Sequence, residues 1–301
     1  MGSAQVSDWN RSYAAPAKLN LFLHVVGRRP DGYHQLQSLF RLIDRGDTLR
    51  FAPRVDDRIL RARPLAGVPE ENDLCVRAAR LLQEASGCRQ GVEITLDKCL
   101  PMGGGLGGGS SDAATVLLAL NRLWGLRWPR QRLQALGLRL GADVPFFIFG
   151  RNALAEGVGE VLQPVDLCPA WYLVIEPRAS VPTAEIFADP NLTRNTKPIK
   201  MADFSAGWGA GCGAIRAAGW GNSFGQNDLE PVVCERYQEV ARALAWLRQH
   251  AEARMTGSGA CVFAPFAAEQ DARAVLARMP DDMTGWMARG LDEHPLRALA
   301  D

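Results

Sequence analysis

The chain has 301 residues, 47% of them hydrophobic, enough for two modest domains or one large one with a sizeable core, which excludes a disordered polymer. Lys plus Arg number 34 against 33 Asp plus Glu, so a net charge of +1 gives no field to favour nucleic acid or an anionic membrane as partner. A small-molecule ligand suits this balance better.

Residues 18–26 alternate Leu19, Leu21, Leu23 and Val25 with Lys18, Asn20, Phe22 and His24, which predicts a strand with one face in a core and polar groups on the other. His24 reads as a rim residue of that strand. After Gly27 comes a charged turn, then short strands over 47–52 and 58–62. A helix is expected over 73–86, with Asn72 as its cap, Leu74, Ala78, Leu81 and Leu82 as its apolar stripe and Gly87 as its stop. A strand over 91–97 and a helix over 113–124 follow, with a glycine-rich loop between them. A further helix starts at Pro129 and runs to 140, before Gly141-Ala142-Asp143-Val144-Pro145 and an apolar run to Phe149.

The pattern breaks over 163–169, which places a domain boundary there and divides the chain into 1–166 and 167–301. The second part reads as α+β: a strand over 171–175, a long helix over 231–250, a glycine-rich turn over 256–260, a strand over 261–266, a helix over 269–279 and a last strand over 286–289. Residues 189–226 are rich in Gly, Pro and Asn, and the alternating glycines of 208–213 lack a strand before or a helix after them, so they read as surface loop. The seven cysteines form no C-x-x-C pair and no zinc spacing with histidine, and read as reduced thiols. Residues 1–10 lack the features of a signal peptide and the run 19–26 is too short to span a bilayer, so the expectation is a cytoplasmic protein, a monomer or weak homodimer.

Chemistry concentrates in Pro101-Met102-Gly103-Gly104-Gly105-Leu106-Gly107-Gly108-Gly109-Ser110-Ser111-Asp112, which holds six glycines and leads into a helix. Glycine lets successive N–H groups turn inward and lets the backbone approach a phosphate with no Cβ in the way. The helix adds free amides and the positive end of its dipole, so a polyphosphate is the natural guest. A P-loop would need Gly-Lys-Ser/Thr at the loop's end, and no lysine follows Gly109. The dinucleotide fingerprint is met through Gly103, Gly105 and Gly108, but the residues 127–132 that should end the next strand with an acid are basic. What remains is a loop that holds ATP by its amides, with Ser110 and Ser111 placed to cap the helix or to ligate Mg²⁺. Asp112 lies in the helix's first turn and is expected to act as a cap. Only four of the 34 basic residues are lysines, Lys18, Lys98, Lys197 and Lys200, which draws attention to each as a compact charge for a phosphate.

The glycine loop, together with Pro16-Ala17-Lys18-Leu19-Asn20-Leu21 near the start and Thr256-Gly257-Ser258-Gly259-Ala260 near the end, resembles the three-motif pattern of the GHMP kinases. Asp31-Gly32-Tyr33-His34, Gly141-Ala142-Asp143-Val144-Pro145 and Ala155-Glu156-Gly157-Val158-Gly159-Glu160 resemble the branch of that family whose substrate carries cytidine diphosphate. The resemblance implies an α+β, two-domain GHMP kinase fold, with a left-handed βαβ crossover in the N-terminal ATP-binding domain and a ferredoxin-like C-terminal domain. It implies transfer of the γ-phosphoryl of ATP, with Mg²⁺, to a tertiary hydroxyl of a methylerythritol unit in the non-mevalonate isoprenoid route.

By the same resemblance Asp143 is the base that takes the alcohol's proton, and Lys18 lies beside it to orient it or steady the transferring group. Pro101, Met102, Gly103, Gly104, Gly105, Leu106, Gly107, Gly108, Gly109, Ser110 and Ser111 hold ATP. Tyr33 and His34 bind cytosine with Phe187 on its opposite face, Asn20 reaches toward Lys18, Thr183 and Lys98 touch diphosphate or nucleotide, and the Thr256 turn lies against the phosphate loop. The plain alternatives are that Asp143 only caps a helix bearing Pro145 and that Lys18 decorates an exposed strand. At the level of the whole protein the alternatives are a GHMP-type kinase for mevalonate, homoserine or a sugar, and a nucleotide-sensing module without catalysis.

Overall fold

The computed structural model describes residues 8–30, 32–200 and 225–300. Its first two strands, β1 (Tyr13–Arg28) and β2 (His34–Pro53), pair antiparallel along almost their whole length, with three register shifts that let strands of this length bend. From β2 the sheet spreads in three directions. Its end pairs β4 (Val92–Asp97), its middle pairs β5 (Ala153–Glu156), and Leu42 and Ile43 meet β10 (Gly285–Leu291). Sequence reasoning finds only 47–52 of β2. Leu39, Phe40, Leu42 and Ile43 are all buried, so apolar residues fall in adjacent pairs and the alternation that marks a half-exposed strand is lost.

β3 (Ile59–Arg61) runs parallel to β4, and α1 (Leu74–Ser86) makes the crossover between them. The cap of α1 is Asp73 rather than Asn72: Asp73 accepts the amides of Cys75 and Val76, while Asn72 is tied into a short turn before it. Gly87 closes the helix in the left-handed conformation, as expected. α2 (Gly108–Leu123) begins earlier than the 113 predicted, because the last glycines of the loop themselves take helical geometry. α3 (Arg130–Leu138) and α4 (Val144–Phe149) follow, then the β5 hairpin partner β6 (Val161–Pro164), which had no sequence signal of its own.

In the second part of the chain, β7 (Trp171–Ile175), α5 (Thr183–Ala188), α6 (Glu230–Arg236), α7 (Gln238–Arg248), β8 (Arg254–Met255), β9 (Val262–Phe266) and α8 (Glu269–Leu276) lead to β10. The order β10-β7-β9-β8, antiparallel throughout, is the β-α-β-β-α-β ferredoxin-like arrangement. The helix predicted over 231–250 is two helices, because Tyr237 is extended at φ −123° and ψ 94°. The Gly-rich 208–213 and Asp31 lie outside the described residues. Five cysteines, Cys75, Cys88, Cys99, Cys234 and Cys261, are free thiols, whereas Cys168 is held in a disulfide, which corrects the reading of all seven as reduced. Among the described residues no helix is long and apolar enough to cross a membrane.

One apolar core lies under α1 to α4, a second between α6, α7 and the C-terminal strands. A third joins them: Leu19 and Leu21 of β1 pack with Tyr172, Val174 and Phe263, and Leu100 and Leu106 of the glycine loop fold into the same cluster. The leucine face of β1 is thus buried as predicted, and the opposite face carries Lys18 and Asn20 into a cavity. His24 is not at a rim: it is buried, its Nε2 accepting the amide of Gln226.

Asp73 both caps α1 and faces Arg61 at 3.5 Å, with both side chains nearly enclosed. Asp73→Ala is expected to cost at least about 1 kcal/mol in urea denaturation, the usual worth of a cap. Asp73→Asn, which keeps the cap and loses the charge, is expected to cost less; equal losses would mean that the cap contributes nothing.

Candidate active site

A cavity of about 1010 Å³ opens between the glycine loop, β1 and the start of α5. Pro101 to Gly109 and Ser110 line it together with Lys18, Asn20 and Asp143, Tyr33, His34 and Phe187 line its far end, and Thr183 lines it beside the turn that backs the loop. Ser111 does not face it: the hydroxyl donates to the Pro16 carbonyl at 2.7 Å, and the amide bonds Gly107.

The loop's shape follows from its glycines. Gly105 and Gly107 have φ of +74° and +71°, and a Cβ on Gly105 would sit 2.1 Å from the Thr256 carbonyl. Gly107 caps α2, and the first helical bond runs from Ser111 to it at 2.8 Å, so the amides of Gly108, Gly109 and Ser110 have no partner within the helix. Met102 is exposed, whereas the Leu106 side chain is buried and its carbonyl accepts the Lys18 amide at 3.0 Å, tethering the loop to β1. Behind the loop the turn from Thr256 to Gly259 presses close: Ala260 and Cys261 donate to the carbonyls of Gly103 and Gly104 at 3.3 and 3.2 Å. The Thr256 hydroxyl accepts the Asn20 amide at 2.9 Å. This turn is both the β8–β9 hairpin and the backing of the glycine loop.

Lys18 is buried, at 3% exposure, and its ammonium is fully engaged. It donates to Asn20 Oδ1 and to the Gly105 carbonyl at 3.1 Å, lies 5.3 Å over the Phe40 ring, and pairs with Asp143 at 3.5 Å. Asn20 in turn donates to Ser38 at 2.7 Å. Asp143 occupies the cap position of α4 yet its side chain makes no cap bond, so the carboxylate, 34% exposed, is left to Lys18 and the cavity.

At the far end His34 stacks on Phe187 with ring centroids 5.0 Å apart and planes 28° from parallel, while Tyr33 is 69% exposed. Burial, with Arg194 and Arg28 nearby, holds the His34 pKa below its ordinary value. The Thr183 hydroxyl meets that of Ser258 at 2.7 Å, joining α5 to the turn behind the loop.

Sequence reasoning named Lys98 only loosely and missed its surroundings. Lys98 bridges Asp47 and Asp112 at 2.6 and 2.7 Å, and Asp47 also accepts the amides of Cys99 and Leu100 at 2.6 and 2.8 Å, pinning the entry to the glycine loop. Asp112 is therefore not a cap: it lies a turn inside α2, and Gly107 holds the cap position. Burial pushes its carboxyl up to about 7, with Lys98 opposing and Asp47 adding to the rise. Burial works against the Lys98 charge, but Asp112 and Asp47 outweigh it and raise the Lys98 pKa. Nothing in the spacing of Asp47 announced this triad, since it closes between a strand, the loop that follows β4 and a helix.

Family models match the chain in two places, the GHMP kinases N terminal domain over 73–151 and the GHMP kinases C terminal over 215–284. The 4-diphosphocytidyl-2-C-methyl-D-erythritol kinase of Thiobacillus denitrificans is 63% identical, covering 95% of this chain and 98% of its own. That of Burkholderia ambifaria is 57% identical, covering 96% and 97%. A crystal structure of a 4-(cytidine 5'-diphospho)-2C-methyl-D-erythritol kinase is similar at a TM-score of 0.77 and 33% identity, over 93% of this chain and 99% of that one. A mevalonate kinase, at 0.65 and 14% identity over 94% and 100%, shares the fold.

Because the Asp112 pKa is raised from 3.8 to about 7, the folded protein binds that proton more tightly than the unfolded chain does. The group's contribution to stability is then largest at low pH and is lost as pH rises from about 4 to about 7. Relative to Asp112→Asn, the wild type is expected to lose stability over that window, measured as urea midpoints at pH 5 and pH 8. A flat difference would place the carboxyl at an ordinary pKa, and one that grows in favour of the wild type would place it below that; either would overturn the expectation.

Proposed function

This chain belongs to the GHMP kinases, in the family of the 4-diphosphocytidyl-2-C-methyl-D-erythritol kinases, and on that premise we propose how its cavity carries out the ATP-dependent phosphotransfer of the non-mevalonate isoprenoid route. The γ-phosphoryl of ATP passes to the 2-hydroxyl of 4-diphosphocytidyl-2-C-methyl-D-erythritol, giving the 2-phosphate and ADP. The observation that carries this reading is the Lys18–Asp143 pair, 3.5 Å apart, set beside the free amides of the glycine loop.

The acceptor is a tertiary alcohol, crowded and weakly acidic, so proton removal must be concerted with attack. Asp143 takes the proton as the new P–O bond forms and the bond to ADP breaks. Losing its negative charge in that step, Asp143 releases the Lys18 ammonium from their pairing, and the cation then faces the transferring phosphoryl oxygens. The amides of Gly108, Gly109 and Ser110, with the helix dipole behind them, hold the nucleotide's phosphates. Leu106 contributes through its carbonyl bond to β1 rather than through its side chain. Ser111 contributes by tying the helix start to Pro16. Residues 1–166 supply these parts, and 167–301 supply Thr183, Phe187 and the turn behind the loop.

The cytidine end of the substrate lies at His34, Phe187 and Tyr33, where stacking on a base is worth about 1–3 kcal/mol. This slot favours a cytidine diphosphate-linked substrate over mevalonate, homoserine or a sugar, none of which has a base to stack. Mg²⁺ characteristically takes one or two carboxylates together with substrate phosphates. The cavity fits that habit: Asp112 Oδ1 is buried without a hydrogen-bond partner, and the Ser110 hydroxyl stands at the helix start. These two residues would hold the ion, which would neutralise charge on the β- and γ-phosphates.

Phosphorylation of 4-diphosphocytidyl-2-C-methyl-D-erythritol with ATP and Mg²⁺ is the direct assay, and no turnover above background would end the proposal. Asp143→Asn is expected to lower kcat by about 10²–10⁴ with ATP affinity unchanged, the usual worth of a general base. A near-normal rate would remove Asp143 from the mechanism.

A further inference from the structure

Resting on the cytidine reading above, we propose that Arg194 is a positioning residue for base selection: by donating to His34 Nε2 it fixes the imidazole proton on Nδ1, and that N–H selects cytosine over uracil at ring atom N3.

The Arg194 Nε group meets His34 Nε2 at 3.1 Å. A guanidinium has only donors, so Nε2 must be the acceptor, and a neutral imidazole with an accepting Nε2 carries its proton on Nδ1. An imidazolium, or the other neutral tautomer, would set an N–H against the guanidinium. The depressed His34 pKa, due to burial and then to Arg194 and Arg28, agrees with a ring kept neutral. Among the described residues Nδ1 has no hydrogen-bond partner, and His34 forms part of the cavity wall.

Arg194 is itself held rigidly. Its Nη1 donates to the Leu192 carbonyl at 3.0 Å, and its Nη2 to the carbonyls of Phe187 and Asp189 at 3.0 and 2.6 Å. The same guanidinium therefore fixes both the tautomer of His34 and the end of α5 that carries Phe187, the ring stacked on His34. Cytosine presents a lone pair at N3, where uracil presents an N–H. A donor aimed at N3 bonds the first and confronts the second with a like group, leaving both donors unpaired. Sites built to hydrogen-bond one partner reject the mismatched one by large factors.

Two measurements test this. A long-range ¹H–¹⁵N spectrum of the wild-type protein is expected to show His34 with a bare Nε2 and a protonated Nδ1; the reverse tautomer would overturn the proposal. In the second, kcat/KM is compared for the cytidine diphosphate-linked substrate and its uridine counterpart. The wild type is expected to prefer cytidine by about 10² or more. Arg194→Leu should bring that ratio within about tenfold of unity, mainly through KM. His34→Asn offers an acceptor as readily as a donor and has no ring nitrogen for Arg194 to hold, so it should lose the preference even if Arg194→Leu fails to fold. A preference unchanged in folded Arg194→Leu or in folded His34→Asn would count against the proposal. If neither substrate is phosphorylated, the catalytic reading fails, while the tautomer measurement still decides the role of Arg194.

Discussion

A buried ammonium is the constraint from which the site is built. Lys18 has almost no access to water, and an unpaired charge in such a place would cost several kcal/mol. It is satisfied by three groups of different origin: the Asn20 amide oxygen on the same strand, the Gly105 carbonyl of the glycine loop and the Asp143 carboxylate ahead of α4. Satisfying one cation thus brings strand, loop and carboxylate to one point. The Leu106 carbonyl, bonded to the amide of the same lysine, adds a second tie between loop and strand.

The glycine loop is held from both sides. In front of it stand Lys18 and the cavity; behind it, the Thr256 turn approaches so closely that no side chain fits at Gly105. Beneath its entry Asp47 accepts two backbone amides and the Lys98 ammonium. A loop so rich in glycine would lose much conformational entropy on ordering, and these fixed contacts offset that loss before any nucleotide arrives.

How much of this was legible in the sequence depended on the range of each contact. The glycine loop's place between a strand and a helix was, because its glycines, strand and helix are contiguous, and so was the polar face of β1, because Lys18 and Asn20 lie two residues apart. Motif resemblance brought in Asp143, His34 and Phe187, which no local spacing links. The Lys98–Asp47–Asp112 triad escaped because its members come from three elements and look like ordinary charged residues one at a time. β2 escaped because burial on both faces erases the alternation that marks a strand. The break at Tyr237 escaped because the apolar period of α6 and α7 runs on through it.

β10 pairs with β7 on one side and, through Gly290 and Leu291, with Ile43 and Leu42 of β2 on the other. On the ribosome β2 emerges long before β10 exists, so the early part of the polypeptide must wait with an unfilled strand edge, a site where nascent chains are prone to pair wrongly. The sheet is sealed only once β10 has followed β7, β8 and β9 out of the ribosome, so the two parts of the chain are joined by a strand that both must wait for.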